Sequence, residues 1–285
     1  MRSHKAILAS ILGGAALAAA GIARAGSGSA GFEVTYETEQ PGALNATLNS
    51  GSTFSVYGVE TFDEIAANTS YAQGTGFTTN FGLSTPADLY TITGTYTALS
   101  NGGLQILPAD QYGGAGGVGN YAVALSANPG YSLALTTSNP AGVDYFGYWL
   151  SALDAGNQIS FYGSHDNLLF SFNPQDVLNA IGNNSAYRGN PNYGSPFYGD
   201  NYGQPYVFLN FYATGGTTFS KIVFSEDPTN DGGYESDNQT VGDWLTMSGT
   251  QIAVPEPGAW LVMTLGVGFL GAAMRRRRGM AAAAA

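Results

Sequence analysis

From residue 31 onward the chain alternates apolar and polar positions in short runs with a period of two, as strands do when one face turns inward. Phe32, Val34 and Tyr36 form one such set. Others are Tyr121, Val123 and Leu125; Tyr131, Leu133 and Leu135; Ile159 and Phe161; Leu168, Phe170 and Phe172; and Ile222 and Phe224. One wet face per strand points to antiparallel sheets. Residues 145–150 and 206–212 are apolar nearly throughout and are expected at a sheet centre covered on both sides. Turn clusters such as Asn128-Pro129-Gly130 and Asn139-Pro140-Ala141-Gly142 separate the strands at hairpin distances. The expected fold is all-β, an antiparallel, jelly-roll-like β-sandwich of roughly ten to twelve strands.

One short helix has clear start signals: Asn173 as N-cap, Pro174 at the first helical position, Asp176 in the first turn, then Val177, Leu178 and Ile181 before Gly182. It is expected to plug one end of the sandwich. Residues 187–206, rich in Tyr, Gly, Asn and Pro, show neither period and predict a long loop. Two readings of it stand side by side. Tyr187, Tyr193, Tyr198 and Tyr202 offer flat faces on which sugar rings could stack, or the stretch is a low-complexity insertion packed loosely over the sandwich. Arg188 is its only cation.

The two ends break the strand pattern. The first 25 residues combine a basic start, an apolar run to Ile22 and the triplet Ala23-Arg24-Ala25, which predicts a secretory signal helix cut between Ala25 and Gly26. At the other end Ala259 to Met274 form 16 uncharged apolar residues, with Trp260 at one edge and Arg275, Arg276, Arg277 and Arg278 at the other. This predicts a short transmembrane helix whose arginines stay cytoplasmic, leaving the body on the outer side. Pro255-Glu256-Pro257 just before it is extended and exposed, because proline fixes φ and removes amide donors.

Composition agrees with this picture. Only 10% of the 285 residues are charged, against about a quarter in an ordinary soluble domain, and 41 are glycine, so a helical bundle is excluded. The formal charge of −11 understates the body: between Gly26 and Val254, Arg188 and Lys221 face 19 carboxylates, which leaves −17. Such a surface repels phosphate backbones and removes nucleic acid as a partner. With no cysteine there is no disulfide, thiolate metal site or cysteine nucleophile.

Catalytic chemistry has little to work with. The body's one histidine, His165, lies between Ser164 and Asp166 on a predicted hairpin tip, where consecutive side chains diverge and cannot form a triad. No enzymatic activity and no obligate cofactor are expected. Structural calcium is more credible than catalysis, with Asp227, Asp231, Asp237 and Asn238 as oxygen ligands, but the spacing fails an EF-hand and a solvated acidic turn before a last strand at 241–248 explains the segment better. Thr91, Thr93, Thr95 and Thr97 make one row, whereas an ice-binding plane needs rows on several strands.

The order Pro255-Glu256-Pro257, apolar span, arginine cluster, with Trp260, Met263, Gly266, Gly268 and Gly271 inside it, resembles the PEP-CTERM sorting signal of Gram-negative exosortase systems, also labelled an ice-binding protein C-terminal domain. The resemblance implies export through the Sec translocon, transient anchoring in the inner membrane, recognition by an exosortase at Pro-Glu-Pro, and release to the cell surface or the exopolysaccharide matrix. Residues 145–162, 219–225 and 233–238 also resemble the extracellular domain often attached to such tails, a group without an assigned activity. A carbohydrate-binding module is the alternative and a secreted hydrolase a distant third. The expected organisation is a signal peptide at 1–25, a β-sandwich at 26–253, the sorting signal at 254–279 and an alanine tail at 280–285.

Overall fold

The structure, a computed structural model, describes residues 31–38, 53–83, 90–125, 129–226 and 232–252. The predicted signal peptide, the membrane helix, the sorting residues Pro255 to Arg278 and the alanine tail lie outside them. Among the described residues no helix is long and apolar enough to cross a membrane.

In chain order the strands are β1 (Gly31–Glu37), β2 (Phe54–Glu60), β3 (Thr69–Ser70), β4 (Gly76–Asn80), β5 (Gly82–Leu83), β6 (Ile92–Ala98), β7 (Gln105–Pro108) and β8 (Asn120–Leu125). Then come β9 (Tyr131–Thr137), β10 (Tyr145–Ser151), β11 (Asn157–Tyr162), β12 (Leu168–Phe172), the helix α1 (Gln175–Ile181), β13 (Val207–Thr214), β14 (Lys221–Glu226), β15 (Gly233–Trp244) and β16 (Thr250–Ile252). The larger sheet runs β16-β1-β13-β10-β15-β8-β7-β3, with β2 also paired to β15 and β5 to β2; the smaller runs β12-β11-β14-β9-β6-β4. Every pairing is antiparallel. Successive strands cross between the sheets: β8, β10, β13 and β15 belong to the larger, β9, β11 and β14 to the smaller. This is the jelly-roll-like sandwich.

The core between the sheets is aromatic. Phe224 stands at its centre, stacked on Tyr131 at 4.4 Å between centroids and edge-on to Phe146, Tyr148 and Tyr234. The Tyr148 and Tyr234 hydroxyls meet at 2.6 Å, both buried. Beside them Gln239 accepts from the Tyr96 hydroxyl and donates to the Tyr131 hydroxyl and to Ser236 Oγ, so a polar residue on the inner face is fully satisfied. A bulge makes this possible. Gly147 faces Thr240 and Trp149 faces Asp237, so two β15 residues, Asn238 (φ 49°) and Gln239, oppose Tyr148. The extra residue shifts the phase of the strand and turns Gln239 and Val241 inward.

Several expectations are corrected. The inward residues of β8 are Ala122 and Ala124, not Tyr121 and Val123, which are buried on the opposite face of the sheet. Residues 233–238 belong to the twelve-residue strand β15, not to a solvated turn before a strand at 241–248. The strands β2, β4, β5 and β7 are not among the alternating sets read from the sequence. α1 begins one residue later than expected. Asn173 Oδ1 still accepts from the Gln175 amide at 2.9 Å, while Val177 and Ile181 are buried in the core.

Two stability predictions follow from this core. Phe224→Ala removes the hub ring and is expected to cost about 3–5 kcal/mol, read from urea unfolding of the purified protein. Tyr148→Phe and Tyr234→Phe each strand the other hydroxyl and should cost about 1–3 kcal/mol, whereas the double variant should cost clearly less than the sum of the two.

Candidate functional site

The outer face of the larger sheet is not wet. Trp149, Ser151, Tyr206, Phe208, Asn210, Glu235, Asp237 and Thr240 are all buried there. Two loops, 109–119 and 182–206, cover the part of this face that holds Trp149, Phe208 and Asp237. Trp149, Tyr206 and Phe208 form a second small core with Ala115 of the first loop against it. Asp237 Oδ2 accepts from the Ala115 amide at 2.7 Å and pins that loop to the sheet.

The second loop is locked onto the first. Asn192 Nδ2 donates to the Gly114 carbonyl, and the Gln111 carbonyl accepts from Asn190 Nδ2 at 3.3 Å, Asn201 Nδ2 at 2.9 Å and the Tyr206 hydroxyl at 2.5 Å. Asn190 and Asn192 are 1% and 0% exposed, so the loop is a packed layer and not a loose insertion. Gly117 (φ 72°) permits the contact, because a Cβ there would fall 2.4 Å from Ser195 Cβ. Arg188 closes the loop's base by donating to the Gly182 and Gly203 carbonyls. Satisfaction is incomplete: Trp149 Nε1, Ser151 Oγ and Asn192 Oδ1 are buried with no hydrogen-bond partner. Each such atom, if left without a partner, costs about 1–3 kcal/mol.

The structure divides the four tyrosines singled out above. Tyr193, Tyr198 and Tyr202 project from the loop, 80%, 57% and 69% exposed, with Tyr193 and Tyr198 edge-to-face at 5.2 Å. Tyr187 lies apart from them. It packs against Tyr36 and lines an open cavity of about 320 Å³ with Glu37, Ser248 and Thr250. Burial raises the Glu37 carboxyl above its ordinary value, opposed by the Ser248 hydroxyl, which donates to it at 2.7 Å. Tyr112, 40% exposed beside Gln111, was not foreseen. The run Asp110-Gln111-Tyr112-Gly113-Gly114 reads as one more glycine-rich turn, though it shares the Tyr-Gly character of 187–206.

Of the expected calcium ligands, Asp227 and Asp231 lie outside the described residues. Asp237 and Asn238 are inside β15 rather than on an acidic turn, and the Asp237 carboxylate accepts from the Ala115 and Asn238 amides. Among the described residues no group of three or more His, Cys, Asp or Glu could hold a metal ion. At the β11–β12 turn Ser164 Oγ is 3.2 Å from His165 Nδ1, but Asp166 pairs with Lys221 at 2.5 Å, so the three do not converge. The threonine row on β6 has neighbours on both flanking strands. The cross-strand triplets read Thr78-Thr95-Ala134, Asn80-Thr93-Thr136 and Gly76-Thr97-Ser132, none of them all threonine.

Buried carboxyls give the outer layer a pH dependence. Desolvation pushes Glu235 up to about 8, with the nearby charges of Asp154, Glu226 and Asp110 adding to it, and desolvation holds Asp237 well above the usual range. Asp144, at the far end of the face, is pushed up to about 7 by burial, with the Trp244 amide opposing and Asp243 adding. The folded chain therefore keeps protons that the unfolded chain releases. The Glu235 contribution is complete below its ordinary value of 4.5, declines as pH rises and is lost by about 8. The unfolding free energy from urea titrations is expected to fall from about pH 5 to about pH 8, by up to about 1.4 kcal/mol per pH unit for one group, and Glu235→Gln should flatten the profile.

No curated protein and no solved structure matches the chain. Residues 253–278, which start immediately after β16, match the family model of the PEP-CTERM protein-sorting motif. The chain therefore carries the signal of an exosortase-processed, exported protein that passes through a membrane-anchored precursor stage.

Proposed function

We propose that the chain is a non-enzymatic component of the cell surface or exopolysaccharide matrix. In this reading the Sec translocon receives residues 1–25 and the signal peptide is cut between Ala25 and Gly26. The apolar stretch from Ala259 to Met274 then halts in the inner membrane, because Arg275 to Arg278 resist translocation. The sandwich is left outside, tethered through Val254-Pro255-Glu256-Pro257, whose prolines disfavour helix and sheet and so suit it to exosortase recognition. The observation that carries the proposal is the sorting-motif match at 253–278, directly behind the last described strand. What supports the non-enzymatic part is the separation of Ser164, His165 and Asp166 into an exposed turn and an ion pair.

The test is fractionation of a tagged copy in a host that has an exosortase. The wild type should appear outside the inner membrane in processed form. A variant with Pro255, Glu256 and Pro257 changed to alanine should remain in the inner membrane as a longer precursor. Wild type recovered from the cytosol at full length, with both ends intact, would refute the reading.

A further inference from the structure

Eight large hydrophobic residues are exposed among the described residues, and five of them, Val118 and the tyrosines Tyr112, Tyr193, Tyr198 and Tyr202, belong to the two interlocked outer loops. Scattered exposed apolar residues need no explanation, but several rings carried by two loops that are hydrogen-bonded to each other do. These rings share one frame. Tyr112 follows Gln111 and Tyr202 follows Asn201, and Asn201 Nδ2 donates to the Gln111 carbonyl. Tyr193 and Tyr198 flank the other arm of the loop, where the Gly199 amide donates to the Asn190 carbonyl and the Asn190 amide to the Asp200 carbonyl. Asn190 Nδ2 returns to the same Gln111 carbonyl. The side chains are in water while the backbone beneath them is tied to the sheet, an arrangement that lowers the ordering cost of binding.

We infer that Tyr112, Tyr193, Tyr198 and Tyr202 form a docking platform for an uncharged polysaccharide chain, the rings lying against apolar sugar faces and the hydroxyls reaching sugar hydroxyls. The charge of the surface selects this occupant. The formal charge between Gly26 and Val254 is −17, Asp200 is exposed within the platform, and Arg188, in the same loop, is engaged by two carbonyls. An anionic polymer would meet repulsion with nothing to offset it. Tyrosine, flat and rimmed by a hydroxyl, suits a polyol better than a greasy protein groove does. The choice of a polysaccharide rests on the matrix-facing function proposed above.

The experiment is affinity electrophoresis of the purified protein in gels containing soluble β-glucan, starch or galactomannan, with alginate as the anionic comparison. Retardation by at least one uncharged polymer is expected. The quadruple alanine variant at Tyr112, Tyr193, Tyr198 and Tyr202 should bind about tenfold more weakly or worse, with an unchanged melting temperature. The quadruple phenylalanine variant should keep most of the binding, since the ring faces remain, and Tyr187→Ala should behave as wild type. The inference is overturned by no retardation in any uncharged polymer, by retardation in alginate alone, by binding that survives the alanine changes, or by sedimentation showing that the four rings are buried in a dimer of this chain. Failure here would leave the export result standing. A mislocalised chain that still binds glucan would sink the matrix address and leave the platform intact.

Discussion

A strand buried on both faces has nowhere for water to complete a hydrogen bond, so each polar group on it and on its neighbours must find a protein partner. β10 and β13 are such strands, and β15 between β10 and β8 is nearly so. Most of the packing around them answers this condition, with Trp149 Nε1 and Ser151 Oγ of β10 the exceptions. On the inner face the smaller sheet supplies Phe224, Tyr131 and Tyr96, whose hydroxyls and rings close around Gln239 and Ser236. On the outer face no third sheet is available. Two loops supply the cover instead, and their carbonyls and amides serve as the partners of Asp237, Asn190, Asn192 and Tyr206.

The two covers differ in kind. The inner one is made of rings at 4.4 to 6.3 Å from their neighbours and is apolar apart from a few satisfied hydroxyls and one amide. The outer one is a hydrogen-bonded lattice of asparagines and carbonyls around a three-residue aromatic core, with carboxyls that burial forces toward their protonated forms. Loops can present side chains outward in ways a strand cannot, and the tyrosines stand on this second cover. The candidate site thus exists because the sheet needed a lid.

How much of this was legible depended on whether a residue's neighbours lay in its own segment. Phe32, Leu133, Phe161 and Ile222 alternate with polar residues and were assigned to the correct face. The unbroken run from Tyr145 to Leu150 announced burial on both sides. Tyr121 and Val123 misled because the same alternation fits either face of a doubly covered sheet, and only the loops above decide that Ala122 and Ala124 turn inward. Glu235, Ser236, Asp237, Asn238 and Gln239 carry no apolar period at all. Their partners, Tyr131, Tyr96 and Ala115, are more than a hundred residues away. The glycan-facing reading of Tyr193, Tyr198 and Tyr202 came from composition alone, which could not separate Tyr187 from them or bring Tyr112 across from another loop.

The pairing of β1 with β16 joins residues over two hundred positions apart: Val34 faces Ile252, and the Thr35 hydroxyl donates to the Ser248 carbonyl. The edge of the larger sheet therefore cannot be sealed until the final stretch of the body is free to pair with it. A chain threaded outward amino end first would wait, with β1 bare along that side, for its last strand. A pause at the membrane just downstream of that strand would give the late partner time to arrive.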